Sequence, residues 1–275
     1  MDLPYERVLL ATEHTEFDSG AEMIAFALAK LRPATLPVVL PAEINAEVEL
    51  VAPEADERFE RELHDRLLAL EAQARRAGIA LEVNVRRGRE AWREIVDEAR
   101  ERAADLLILR RRGRQSFLKR LMIGAMVERV ATEAPCSVLL VPRAAPLWSE
   151  RVLAGVDATS QGHTVAAAAG RIAHRARLPL TLVCVATDDT PKAHDAATAI
   201  AAAAVRTAAA SGAQADGRVA VGRPADTIAD LAARLRADLL VVGRGGREVH
   251  GPLHFGSTAR RVVGLADCAV LVVEP

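Results

Sequence analysis

Short apolar segments alternate with longer helical segments along the whole chain. In the second half the apolar segments cover residues 152–156, 180–185, 218–221, 239–242 and 269–273. Alanine-rich stretches such as Thr164 to Arg177 and Ala193 to Ala210 lie between them, and alanine strongly favours helix. Strands separated by helices in this way predict βαβ units and a parallel sheet covered on both faces.

The first half repeats the order of the second. Its fourth apolar run follows Arg102-Ala103-Ala104-Asp105, as the corresponding run of the second half follows Arg236-Ala237-Asp238. Each half ends on an apolar run that begins at a cysteine, Cys136 in the first and Cys268 in the second. A charged helix is predicted from about Ala55 to Ala77. A period of about 130 residues indicates a duplicated domain and not a solenoid.

We therefore predict an α/β protein made of two tandem doubly wound domains, each with a five-stranded parallel sheet. A Pro-containing linker runs from Pro142 to Pro146, so the domains are predicted to cover residues 1–145 and 146–275. The chain has 275 residues, which gives each domain enough length to bury a core of its own.

Composition and charge narrow the class of protein. A formal net charge of -1 gives no overall field to attract a polyanion, which argues against dedicated nucleic-acid binding. The three cysteines adjoin apolar runs, where small buried thiols are found, and this favours a reducing compartment. No apolar run approaches the roughly 20 residues that span a bilayer. We expect a cytoplasmic protein without membrane attachment.

The sharpest chemical signal is the pattern Gly243-x2-Gly246-x9-Gly256-Ser257, which follows the fourth predicted strand of the second half and opens a helix. Glycines let phosphate oxygens approach backbone N–H groups, and a helix N-terminus adds unpaired donors and a favourable dipole. Ser257 is predicted to be both helix cap and phosphate ligand. Asp157 follows the first strand and is expected beside the fourth strand at the carboxyl edge of the sheet.

This motif, together with Asp157 and Gly222-Arg223-Pro224, resembles that of the ATP-binding branch of the universal stress protein family. The resemblance covers residues 151–275 and, more loosely, residues 5–142. It implies a parallel sheet of strand order 3-2-1-4-5 in each domain. Members often dimerise through the last strand, so we expect the two halves to form an internal pseudo-dimer, with a homodimer of the whole chain as a further option.

The resemblance also implies a binding site for ATP, with Mg²⁺ as the accompanying ion. It implies that Asp157 contacts the nucleoside, that Val185 lies against the adenine, and that the glycines and Ser257 hold the phosphates. Arg244 and Arg247 lie inside the glycine loop and are candidate phosphate contacts. The complete predicted site consists of Gly155, Val156, Asp157, Val185, Val242, Gly243, Arg244, Gly246, Arg247, Gly256, Ser257 and Thr258.

The first half departs from the motif. Arg110 replaces the first glycine, Ala125 removes the hydroxyl, and Glu13 stands where the second half has its aspartate. We predict that this half does not bind ATP in the standard way, because Arg110 would crowd the phosphate path. The Arg-rich run at residues 110–120 is interpreted as a solvated loop, with a phosphate clamp or a contact to an acidic partner as the alternative.

Other chemistries lack their defining residues. His250 and His254 stand in a Gly- and Pro-containing loop without metal-ligand context, and the chain has neither a Gly-x-Ser-x-Gly elbow nor a Walker Gly-Lys-Ser/Thr sequence. The leading hypothesis is an ATP-binding stress-response protein with little or no catalysis and a protein partner in stress signalling. The alternative is an assembly module whose glycine loop is vestigial; an enzyme of the ATP pyrophosphatase type is a weaker third.

Overall fold

The computed structural model describes residues 4–31, 35–44, 53–111, 124–245 and 255–274. Five parts of the sequence predictions lie outside the described residues: Gly246, Arg247, His250, His254 and the Arg-rich run from residue 112 onward.

The first half has the predicted alternation of strands and helices. Its elements are β1 (Val8–Ala11), α1 (Ser19–Lys30), β2 (Leu36–Glu43), α2 (Pro53–Ala77), β3 (Leu81–Gly88), α3 (Ala91–Glu101), β4 (Leu106–Arg110), α4 (Ala125–Glu133) and β5 (Ser137–Val141).

The second half repeats this order. Its elements are β6 (Val152–Gly155), α5 (Ser160–Ala176), β7 (Leu180–Ala186), α6 (Pro191–Ala209), β8 (Ala215–Val221), α7 (Pro224–Leu235), β9 (Leu239–Gly243), α8 (Ser257–Leu265) and β10 (Ala269–Val273). Strand β8 begins three residues earlier than its apolar run, because Asp216 and Gly217 pair with Thr181 and Leu182 of β7 despite their low strand propensity.

The ten strands of the described residues form one sheet, in the order β3-β2-β1-β4-β5-β10-β9-β6-β7-β8. Each half therefore has the predicted order 3-2-1-4-5, with parallel pairing inside it. The halves join through their last strands, which pair antiparallel with Leu139 opposite Leu271. This seam is the internal pseudo-dimer expected from the sequence.

Helices cover both faces of the sheet, which explains the nearly continuous apolar character of its central strands. Helices α1, α2, α5 and α6 pack on one face, and α3, α4, α7 and α8 pack on the other. Successive residues of a strand alternate between the two layers, as Leu9 and Leu10 do in β1. Among the described residues, no helix combines the length and the apolar character needed to cross a membrane.

The duplication extends to individual hydrogen bonds. Asp105 precedes β4 and accepts bonds from the backbone N–H groups of Glu6 and Arg7, both at 2.9 Å. Asp238 precedes β9 and accepts in the same way from Glu150 at 2.8 Å and Arg151 at 3.0 Å. In each half the same pattern of contacts thus ties the start of the first strand to the start of the fourth.

Candidate functional site

A cavity of about 430 Å³ opens at the carboxyl edge of the second half of the sheet. Strand β6 lies between β7 and β9, so the segments that follow these strands meet at this edge. The predicted site residues that line the cavity are Gly155, Val156, Asp157, Val185, Val242, Gly243, Gly256, Ser257 and Thr258. The sequence prediction therefore identified residues that the fold brings together around one space.

Asp157 is exposed at the mouth of this cavity and is oriented by a neighbour. Its Oδ1 accepts hydrogen bonds from the backbone N–H of Thr159, at 3.0 Å, and from the Thr159 hydroxyl. Thr159 is also the N-cap of α5, where its side chain accepts from Gly162 N–H. The carboxylate is thus held in place by the same residue that begins the helix.

The glycines allow a close approach of backbone and side chains around the loop. A Cβ on Gly243 would lie 2.6 Å from Cδ of Gln161, and a Cβ on Gly256 would lie 3.0 Å from Cα of Gly245. Gly245 has φ of 116°, a backbone conformation that residues other than glycine rarely adopt. Its N–H donates to Oε1 of Gln161 at 2.9 Å. A side chain at Gly256 would therefore push against the loop backbone, whereas one at Gly243 would meet the side chain of Gln161.

Helix α8 points its N-terminus at the cavity. The structure corrects one detail here: the N-cap is Gly256 and not Ser257, which is the first helical residue, and no side chain caps this end. The first amides of a helix have no intrahelical acceptor, and those of Ser257, Thr258 and Ala259 lie at the cavity wall. They provide N–H donors and a positive partial charge for an anionic group.

Arg244 differs from its prediction as a phosphate contact. It is 2% exposed, and its guanidinium is directed away from the cavity, donating to backbone oxygens of Cys136 at 2.7 Å and of Thr132 at 3.3 Å in the first half. Burial lowers the pKa of Arg244. The described residues that line the cavity therefore include no lysine or arginine, and α8 supplies the positive potential.

The equivalent position in the first half is filled by the protein itself. Strand pairing aligns Arg110 with Gly243, and Arg110 lies 3.0 Å from the carboxylates of both Glu13 and Asp18. Its Nη1 also donates to the Thr15 hydroxyl at 2.7 Å. The space that remains is about 10 Å³, no more than one water molecule needs. Arg110 thus occupies the space beside Glu13, and the prediction that it excludes phosphate remains a prediction.

Some cavity residues were missed by the sequence prediction. Thr159 carried a usable signal, because threonine before an alanine-rich run is a common N-cap. Gln161 and Ile228 carried none, since a glutamine or an isoleucine in a helix has no chemical signature of its own. Among the described residues, no group of three or more His, Cys, Asp or Glu side chains is placed to hold a metal ion.

Comparison with known proteins decides the family. The family model for the universal stress protein family matches the chain twice, over residues 4–142 and over residues 149–274. The chain belongs to the universal stress protein family. It is a tandem member, since each half matches the model separately.

Individual universal stress proteins show the same relationship. A protein of Thermus aquaticus, the universal stress protein in QAH/OAS sulfhydrylase 3'region, is 43% identical over 53 residues, which is 19% of this chain and 39% of that protein. A universal stress protein from Archaeoglobus fulgidus DSM 4304 is 18% identical with a TM-score of 0.76, and the match covers 98% of this chain and 96% of that one.

A second structure, from Pseudomonas aeruginosa UCBPP-PA14 and described with the same family name, is 20% identical with a TM-score of 0.71. That match covers 98% of this chain and 93% of the other. At these identities the two structures establish the fold, including the tandem arrangement across almost the whole chain.

Proposed function

We propose that this protein binds one ATP per chain, in the cavity of the second half, and that nucleotide occupancy regulates its contact with a protein partner during stress. The observation that carries the proposal is the contrast between the halves: a cavity of about 430 Å³ in the second half and about 10 Å³ in the first. The same strand edge is open in one half and occupied by Arg110 in the other.

The shape and chemistry of the cavity support an adenine nucleotide. Val185 and Ile228 provide apolar surface for a base, and Asp157 provides a carboxylate for nucleoside hydroxyls. The amides in the first turn of α8 provide the donors that phosphate oxygens need, and the glycines let the phosphates approach the backbone closely. Asp157 is the one carboxylate among the described lining residues, so Mg²⁺ would be held mainly by the phosphates themselves.

Features of the first half support a second proposed role for the molecule, as an assembly module. Its nucleotide position is closed by the ion pairs of Arg110, while its last strand forms the seam with the second half. We propose that this half supports and presents the second one. All three cysteines are free thiols, which fits the proposed cytoplasmic location.

Calorimetric titration of the whole chain with ATP and Mg²⁺ tests the proposal. We expect a stoichiometry of one ATP per chain. Mass analysis of small molecules released from the freshly purified, denatured protein gives an independent identification of the bound nucleotide.

The variant Gly256→Val should weaken ATP binding by displacing the loop. Its Cβ would meet the backbone of Gly245 at 3.0 Å and of Arg244 at 3.3 Å, and neither can move without shifting the loop. ATP affinity should fall roughly 10- to 100-fold, the usual effect of overpacking, with little change in the circular dichroism of the fold. Two equal ATP sites per chain, or wild-type affinity in this variant, would contradict the proposal.

A further inference from the structure

Each half extends one buried arginine side chain across the seam to the backbone of the other half. Arg111 follows β4 and Arg244 follows β9, and strand pairing places them at equivalent positions. Arg244 donates to the backbone oxygens of Thr132 and Cys136, at the end of α4 and the start of β5. Arg111 donates to the backbone oxygens of Val263 and, at 2.7 Å, Ala266 at the end of α8.

The chemistry of these contacts makes them strong anchors. The last carbonyls of a helix have no intrahelical donor and carry a negative partial charge, and a guanidinium offers several N–H groups in a fixed plane. Both side chains are buried, with 7% of Arg111 and 2% of Arg244 exposed. Each arginine therefore fixes the backbone on which it stands relative to the opposite half.

The backbone that follows Arg244 is the start of the glycine loop. The carbonyl of Arg244 accepts the N–H of Gly256 at 2.8 Å, which ties the start of the glycine loop to the N-cap of α8. The next residue, Gly245, donates to Gln161 on the opposite wall of the cavity. Arg244 thus connects both described ends of the loop, while its side chain is held by the first half.

We propose that Arg244 is a positioning residue for the phosphate end of the cavity, through which the closed first half sets the geometry of the nucleotide site in the second. This inference rests on the proposed function of that cavity. Arg244 does not touch the ligand; it acts by holding the backbone of Gly245 and Gly256 in the cavity wall, next to the free amides of α8. Arg111 makes the reciprocal contact at the far end of α8, about 13 Å along the helix from its first turn.

Arg111 therefore provides a matched control. We expect R244M and R111M to lower stability by similar amounts, because each removes one buried guanidinium that crosses the seam. ATP affinity should fall about tenfold in R244M, the effect of losing one net hydrogen bond, and less than about twofold in R111M. The variant R244K keeps one charged donor and should recover part of the ATP affinity.

A second readout needs no nucleotide. Hydrogen exchange at the Gly256 amide, which bonds to the Arg244 carbonyl, should be faster in R244M than in R111M. Equal ATP affinities in R244M and R111M, or unchanged Gly256 exchange in R244M, would overturn the assignment of Arg244. Failure of the wild-type chain to bind ATP would overturn the proposed function, and the exchange measurement would still decide whether Arg244 anchors the loop.

Discussion

Arg110 forms an ion pair with Glu13 at 3.0 Å, at the position where the second half has Gly243 and Asp157. Arginine in place of glycine thus puts a side chain into the edge that the second half leaves open. The guanidinium fills the space in which the second half keeps its cavity, and it neutralises the carboxylate that would face a nucleoside. The two halves share one fold and differ in what occupies this edge.

Removing the arginine should destabilise the first half. Arg110 also pairs with Asp18, which is 1% exposed, so the variant R110M leaves a buried carboxylate without its cation. We expect the free energy of unfolding to fall by about 3 kcal/mol, measured by urea denaturation. The double variant R110M/D18N should lose less than R110M alone, because the uncompensated charge is gone. Equal stability of R110M and the wild type would contradict a structural role for this pair.

Introducing the arginine should close the second site. The variant G243R places a guanidinium beside Asp157, as Arg110 stands beside Glu13, and we expect calorimetry to detect no ATP binding. The matched control is Q214R, which adds the same charge at the exposed opposite edge of the sheet and should keep wild-type affinity. Retained ATP binding in G243R would show that the nucleotide does not use this edge.

Two equivalent N-cap threonines allow the effect of a cap on stability to be distinguished from its effect on ATP binding. Thr159 begins α5 and bonds Asp157, and Thr190 begins α6 and bonds Asp188 with the same pair of contacts. Both T159A and T190A should lower the free energy of unfolding by about 1 kcal/mol. Only T159A should weaken ATP binding, because only that threonine orients a cavity carboxylate. Equal ATP affinities in the two variants would rule out an orienting role for Thr159.

Stability should fall in acid partly because of Glu98. Burial raises the pKa of its carboxyl, but hydrogen bonds from Arg102 and Arg86, and one from Asn84, outweigh burial and hold the pKa below the ordinary value of 4.5. A carboxylate whose pKa is lower in the folded state stabilises the protein above its unfolded pKa, and this contribution is lost as the pH falls through the folded pKa.

We therefore expect the free energy of unfolding to decrease as the pH is lowered from about 5 to about 3. The variant E98Q should be less stable than the wild type at pH 7 and should show a shallower decrease in acid. Urea denaturation at a series of pH values measures both. Identical slopes for the two proteins would assign the acid sensitivity to other carboxylates.

The fold was readable from the sequence because its signals are local and repeated. Apolar runs marked the central strands, and alanine-rich stretches marked α5 and α6, so the alternation and the duplication both followed. The glycine motif and Asp157 also identified much of the cavity wall, since residues that follow parallel strands meet at one edge. The predicted start of β8 was less accurate, because Asp216 and Gly217 join the sheet by pairing with β7 despite their low strand propensity.

The orientation of Arg244 was not readable in this way. Its position inside the glycine loop suggested a phosphate contact, but the side chain turns toward carbonyls that only the opposite half supplies. Gln161 depends on the tertiary structure in the same way, since its bond to Gly245 joins segments 84 residues apart. Contacts of this kind follow from the assembled sheet and have no local pattern.

The pairing of β5 with β10 also determines how copies of this chain can meet. Because the last strands of the two halves pair with each other, the edge strands of the sheet are β3 and β8. Both carry charged side chains, Arg86 and Arg87 on one and Asp216 and Arg218 on the other. Charges on a border strand oppose the addition of a further strand. The tandem arrangement thus limits growth of the sheet into a ribbon of many molecules and leaves helical surfaces for association.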